Sequence, residues 1–332
     1  MKVSIIIPVY NAEKDIEKCV TNCKNQTMKD FEVIIVDDCS KDNTLNVITE
    51  QIKNDARFKL IALSENRKQG FARNVGIEHA QGDFIMFFDA DDDYSNQYVE
   101  KMYNKITRDD ADFTACKFYL VDKNTDEILE NTDFAMFSQF PKEFYDGFHF
   151  SQIQPPVELF CKSNTVWDKI FRRSFLQKYD IKFPTDLFFK EDDIFSIRTT
   201  FRASKISVLD EFLYYYKIDK KKYDSSDFQK EEIYDCFKAF EYMEKDLIEF
   251  GIFQEISHDF MKFEVFTLKY FYKILKQEFH EEFFYKMKNS YKKYKNIPQE
   301  IKNTDNIMFD LIDKVNDTVE FSPEIDEFLK NY

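Results

Sequence analysis

Between Val3 and Val121 the chain alternates short β-branched apolar runs with segments whose apolar residues recur at helical spacing, and this alternation leaves few folds open. Val3–Val9, Glu32–Val36, Lys59–Leu63 and Phe84–Phe88 are apolar stretches that predict strands, with Phe113–Val121 as a fifth. Between them, Ile16, Cys19, Val20 and Cys23 mark one helical face, and Leu45, Ile48 and Ile52 another, behind a cap at Asn43 or Thr44. Gly70–Ala80, stopped by Gly82, and Asn96–Thr107 complete the helices. Continuously apolar strands separated by helices predict a mostly parallel α/β sheet covered on both faces. In such sheets ligands bind beyond the carboxyl ends of the strands, so the residues that follow each strand are the functional candidates.

Composition narrows the ligand. Five glycines allow neither a Gly-x-Gly-x-x-Gly turn nor a P-loop, which removes the common dinucleotide and NTPase sites. The six cysteines and four histidines show no zinc-ligand spacing, Cys19 and Cys23 being merely one helical turn apart. A net charge of -15 argues against a nucleic-acid partner. There is no run of eighteen apolar residues, and Met1–Pro8 reads as a strand rather than a signal peptide, so the expectation is a cytoplasmic protein with reduced thiols.

Beyond the fifth strand the pattern changes twice. Asp122–Phe150 is polar and turn-rich, with room for a hairpin; helices are expected at Asn164–Lys178 and Glu191–Ala203, and short strands at Ile206–Leu209 and Phe212–Lys217. Residues 229–295 read as successive helices dense in Phe, Tyr, Lys and Glu. The expected division is therefore a first domain over 1–220, in halves 1–110 and 111–220, and a helical region over 221–332.

Two predicted strand ends are acidic: Asp37-Asp38 after the second, and Asp89-Ala90-Asp91-Asp92-Asp93 after the fourth. Like charges gathered on one sheet edge need a cation or a set of donors. Asp-x-Asp, with oxygen ligands only, suits Mn²⁺ or Mg²⁺ held jointly with substrate phosphates; a solvated acidic turn is the competing reading.

Four segments in order, Ile7-Pro8-Val9-Tyr10-Asn11, Val36-Asp37-Asp38-Cys39-Ser40, Asn66 with Gly70-Phe71-Ala72-Arg73-Asn74-Val75-Gly76-Ile77, and Phe88-Asp89-Ala90-Asp91-Asp92, resemble the nucleotide-sugar-binding signatures of glycosyltransferase family 2. Lys190-Glu191-Asp192-Asp193-Ile194-Phe195 resembles the family's Glu-Asp motif, and Val166-Trp167-Asp168-Lys169-Ile170 its acceptor-side segment. The resemblance covers roughly residues 1–220 and is closest to bacterial enzymes of lipo-oligosaccharide, capsule and related surface glycans. It implies the GT-A fold and metal-dependent inverting transfer of a hexose or N-acetylhexosamine from a UDP-sugar to a glycan or glycolipid hydroxyl.

The roles implied by the resemblance are specific. Asp38, with Asp37 as alternate, accepts from the uracil N3–H; Pro8, Tyr10 and Asn11 wall the base and ribose; Arg73 lies near uracil or diphosphate. Asp89 and Ala90 contact the donor, Asp91 with Asp89 holds Mn²⁺ or Mg²⁺, and Asp92 and Asp93 only solvate the loop. Asp192 is the general base, with Glu191 beside it, and Trp167, Asp168 and Lys169 meet the acceptor. Trp167 is equally readable as core, and Glu191–Asp193 as an acidic helix start. The sequence departs from the family in having Cys39 where glycine is usual, Asp168 where asparagine is usual, and Lys217 where arginine often stands.

Lys220-Lys221-Lys222 reads either as a loop closing over the diphosphate or as a solvated charge run. The basic, aromatic helices over 258–295 suggest peripheral membrane docking or a homodimer contact. A catalytically inactive scaffold or glycan-binding module, and a nucleotidyltransferase, remain the competing functions; the latter usually carries a Gly-rich basic loop after strand one, which Val9–Glu13 lacks.

Overall fold

The computed structural model describes residues 1–131, 148–149, 165–219, 230–295 and 305–331. The chain divides into two compact units, Met1–Lys220 and Lys221–Tyr332.

The first unit is built on strands β1 (Val3–Val9), β2 (Phe31–Asp37), β3 (Phe58–Ala62) and β4 (Phe84–Phe87), all parallel. Every residue of β1 and β2 is buried, because helices cover both faces of the sheet. Ile5, Ile7 and Val9 pack with Ile16 and Val20 of α1 (Ile16–Lys24) and Val99 and Met102 of α4 (Tyr98–Asp109). Ile6, between them, points the other way, into a cluster with Ala72 of α3 (Lys68–His79), Phe87, Phe183 and Phe195. Gly76 lets α3 lie against β1: a Cβ there would stand 2.3 Å from Ile6 Cγ2. Helix α2 (Thr44–Ile52) begins at the expected cap, but the capping acceptor is Asp42, whose Oδ1 takes the Thr44 N–H at 3.0 Å.

The rest of the sheet is mixed rather than parallel. With β5 (Asp93–Tyr94), β6 (Phe113–Asp122), β9 (Lys169–Arg172) and β10 (Lys205–Ile218), the strand order is β3-β2-β1-β4-β9-β6-β10-β5. The helix expected over Asn164–Lys178 is therefore corrected: its middle is strand β9, antiparallel to both β4 and β6, and only Arg173–Lys178 is helical. Ile170 and Phe171 fill the two opposite cores, which favours the extended form of this four-residue stretch. The two short strands expected after Ile206 are one strand, β10, with register shifts between Leu209 and Tyr214 where the polar Asp210-Glu211 suggested a break. The hairpin expected after Asp122 begins with β7 (Ile128–Asn131) on β6, and β8 (Phe148–His149) pairs antiparallel with β10; most of the stretch between them, and the Lys220–Lys222 loop, lie outside the described residues.

The second unit contains helices Lys230–Glu249, Phe253–Ile274, His280–Tyr291, Asn306–Asp317 and Pro323–Asn331. Phe240, Phe260, Leu268, Phe283, Met287 and Tyr291 are buried within it. Lys293 pairs with Glu244 at 2.6 Å and with the fully buried Glu264 at 2.8 Å, and Lys288 donates to the Thr318 carbonyl. Two lysines of the basic 258–295 segment thus serve contacts inside the unit. Among the described residues no helix is long and apolar enough to cross a membrane.

Candidate active site

A cavity of about 420 Å³ opens at the carboxyl ends of β1, β2 and β4. Pro8, Tyr10, Asn11, Asp38, Asp89, Ala90 and Asp91, all singled out by sequence, line it. Asn11 ties its floor together: its backbone N–H donates to Ser40 Oγ at 2.9 Å, and its Oδ1 accepts from the Lys41 N–H at 2.8 Å. Asp38 Oδ1 accepts from the Arg67 N–H at 2.7 Å. Burial raises the Asp38 carboxyl above its ordinary value, while the Arg67 and Lys68 N–H groups oppose the rise. Asp37 is turned away from the cavity; its Oδ2 accepts from the Ser40 N–H at 3.2 Å and its Oδ1 is buried without a hydrogen-bond partner. Cys39 adopts φ +64°, so the turn keeps the left-handed geometry glycine would give, at the steric cost of a side chain.

The β4 end is more heavily crosslinked. Tyr214 Oη accepts from the Asp89 N–H at 3.3 Å and donates to Asp92 Oδ2 at 2.8 Å, and the Lys217 N–H donates to Asp92 Oδ1 at 2.7 Å. Asp93 receives Lys18 at 2.7 Å and Lys217 at 2.6 Å. Against its partial burial, those two ammonium groups hold the Asp93 carboxyl below the usual range. Asp92 and Asp93 therefore do more than solvate the loop: they fasten it to α1 and β10. Asp91 stands at the open rim with no ion-pair partner among the described residues. The surrounding walls thin its hydration and Asp89 adds a like charge, and together they push its carboxyl up to about 6.

Arg73 stands directly behind the cavity wall. Its side chain is 1% exposed and does not itself line the cavity, but it bonds Asp89, which does. Its Nη2 donates to Asp89 at 2.9 Å, and its Nη1 donates to Glu191 at 3.0 Å and to Asp192. Glu191 and Asp192 begin the helix Glu191–Arg202, brought onto α3 because Gly70 leaves room for the Pro184 carbonyl, 2.3 Å from where a Cβ would stand. Burial raises both carboxyls, and Arg73 opposes the rise. Asp192 is not in the cavity wall; it reaches the donor side through Arg73 and Asp89.

The three residues expected to meet the acceptor lie buried in the first unit. Trp167 is 4% exposed and stacks on Tyr214 and Tyr216 with ring centroids 4.5 and 4.9 Å apart. Asp168 and Lys169 are fully buried and paired with each other at 2.9 Å. None presents a face to a sugar; Trp167 instead backs Tyr216, which lines the cavity. Sequence reading missed Tyr216 and Gln69, another lining residue, whose Nε2 donates to Asp89 Oδ1 at 3.2 Å. Nothing in the pattern distinguished Gln69 from other polar residues at a helix start.

The model of glycosyl transferase family 2 matches residues 4–179, just over half of the chain. The chain belongs to this family. It is 35% identical over 218 residues to EpsH of Bacillus subtilis (strain 168), which carries a glycosyltransferase name, covering 65% of this chain and 60% of that one. It is 31% identical over 260 residues to the poly(ribitol-phosphate) beta-N-acetylglucosaminyltransferase TarS of Staphylococcus aureus (strain Mu50), covering 75% of this chain and 42% of TarS. The chain thus spans less than two thirds of the length of these relatives. The crystal structure of S. aureus TarS 1–349 in complex with UDP superposes with a TM-score of 0.56 at 23% identity, covering 90% of this chain and 93% of that one. The fold is the GT-A type with a C-terminal helical appendage.

Proposed function

We propose that this glycosyltransferase moves a hexose or N-acetylhexosamine from a UDP-sugar to a hydroxyl of a bacterial surface glycan, with inversion and with the help of Mn²⁺ or Mg²⁺. The observation that carries the reading is the cavity at the β1, β2 and β4 ends, with Asp38 on one side and Asp89 and Asp91 on the other. The relatives support the donor class: TarS has been crystallised with UDP and with UDP-GlcNAc, and a further relative at 31% identity is a poly(ribitol-phosphate) beta-glucosyltransferase of Bacillus spizizenii.

In this reading the uracil lies at Asp38, whose carboxylate accepts the N3–H, and Pro8 and Tyr10 flank base and ribose. Asp89 faces the ribose. Asp91 fits a divalent cation: it is an oxygen donor, burial and the neighbouring Asp89 carboxylate oppose its ionisation, and among the described residues no ion-pair partner meets it. A hard divalent cation binds through one or two carboxylates, with substrate phosphate and water completing its shell. When bound, such a cation neutralises the charge that develops on the departing diphosphate. Asp192 accepts the proton of the acceptor hydroxyl as that oxygen attacks the anomeric carbon from the face opposite the diphosphate, so an α-linked donor gives a β-linked product. A carboxylate raised above its ordinary value is a stronger base for this step. Membrane docking and dimerisation through the second unit stay secondary expectations; replacing Lys292 and Lys295 with Gln should reduce binding to anionic liposomes if docking occurs.

The test pairs a panel of UDP-sugars with Asp192→Asn. Transfer in this variant should fall about 10²–10⁴-fold while donor binding persists. Near-normal transfer would refute the base, and an α-linked product by anomeric NMR would refute inversion.

A further inference from the structure

We infer that Arg73 is a positioning residue that fixes the proposed base, Asp192, relative to the donor-side carboxylate Asp89; this deepens the reading above and rests on it. Arg73 lies one turn into α3, its guanidinium buried and bonded to the β4 end on one side and to the first turn of Glu191–Arg202 on the other. These partners are 16 and 119 residues away in sequence, so one side chain joins two distant pieces of the site. A guanidinium is planar and its N–H directions are fixed, so carboxylates bonded to Nη1 and Nη2 cannot shift independently. Phe183 supports the group, its ring centroid 5.3 Å from the guanidinium carbon. One cation here faces three carboxylates, Asp89, Glu191 and Asp192, which would otherwise repel one another. Lysine keeps the charge but loses the fork, which separates geometry from electrostatics.

The experiment compares Arg73→Lys, Asp192→Asn and the double variant, measuring UDP affinity by calorimetry and kcat at saturating UDP-sugar. Arg73→Lys should bind UDP within about threefold of the parent yet lose kcat by about tenfold or more, a split between binding and turnover. The double variant should fall no more than about threefold below Asp192→Asn, because both changes remove one function. A parental kcat in Arg73→Lys, or losses that multiply in the double variant, would overturn the inference. Should Arg73→Lys not fold, as judged by lost UDP binding and lost cooperative melting, Arg73→Gln with Glu191→Gln removes a buried cation and a buried carboxylate together, and the same two criteria apply. Near-parental transfer by Asp192→Asn would instead strike the base assignment, independently of Arg73.

Discussion

Two acidic clusters close strands of the same sheet with only β1 between them, yet their charges are handled in opposite ways. At the end of β2, Asp37 and Asp38 take hydrogen bonds from the backbone N–H groups of Ser40 and Arg67. At the end of β4, Asp89, Asp92 and Asp93 are met by Arg73, Tyr214, Lys217 and Lys18, side chains from α3, β10 and α1, with the Lys217 backbone N–H completing the set. Backbone donors orient a carboxylate without cancelling its charge, leaving it able to accept from a neutral ligand group. Cationic side chains neutralise Asp89 and Asp93, Asp92 takes neutral donors from Tyr214 and the Lys217 backbone, and Asp91 has no ion-pair partner among the described residues. The same dipeptide signal therefore yields a hydrogen-bonding site at one strand end and a site for cationic charge at the other.

The largest break in this contrast is expected from Asp91→Ala, which should lower transfer about 10²–10³-fold at saturating Mn²⁺, the loss of a charge-stabilising contact in the transition state. Its melting temperature should not fall below the parent's, and full turnover by this variant, or by the parent in excess EDTA, would remove the cation from the account. Asp38→Ala acts at the other end: losing a hydrogen bond to a charged acceptor should weaken UDP binding about 10- to 100-fold and narrow the preference for UDP over CDP and ADP. Competition binding with the three nucleotides measures both. Asp92→Ala leaves the Tyr214 hydroxyl and the Lys217 N–H without their acceptor and should lower unfolding stability by about 1–3 kcal/mol in urea titrations; no change would mean the β10 clamp contributes nothing.

The smallest effect is a pH signature. The Asp91 carboxyl is raised to about 6, so its proton is held more tightly in the folded chain than in the unfolded one. Its ionisation therefore opposes folding, and its contribution to stability declines as pH rises from about 4 through 6. Asp91→Asn should accordingly melt higher relative to the parent at pH 7.5 than at pH 5 in metal-free buffer, and added Mn²⁺ should shrink that gap. A gap that does not change with pH would show that Asp91 is not strained by its neighbours.

The two strand ends also show what a sequence makes legible. Apolar runs flanked by helical faces located β1 to β4, the rule that ligands meet strand ends led to the Asp37-Asp38 and Asp89–Asp93 clusters, and the family resemblance singled out Asp38, Asp89 and Asp91 within them. Lys169–Arg172 was hidden because a four-residue strand has too few residues for its period to show, and only the slot between β4 and β6 reveals it. Trp167 carries the same sequence signal as a sugar platform; the tyrosines that bury it come from β10, some fifty residues later. The link from Arg73 to Asp192 spans 119 residues and has no local signature. Local pattern thus reported where charges sit, while their compensation depended on tertiary contacts.

The central claim, that the cavity at the β1, β2 and β4 ends holds a nucleoside diphosphate between a hydrogen-bonding side and a cation side, is tested most directly by calorimetric titration of the chain with UDP, with and without Mn²⁺. One UDP should bind per chain, more tightly with Mn²⁺; Asp91→Ala should abolish the Mn²⁺ dependence, and Asp38→Ala should weaken binding in either condition. Absence of UDP binding by the folded chain, or binding that neither substitution alters, would contradict the account.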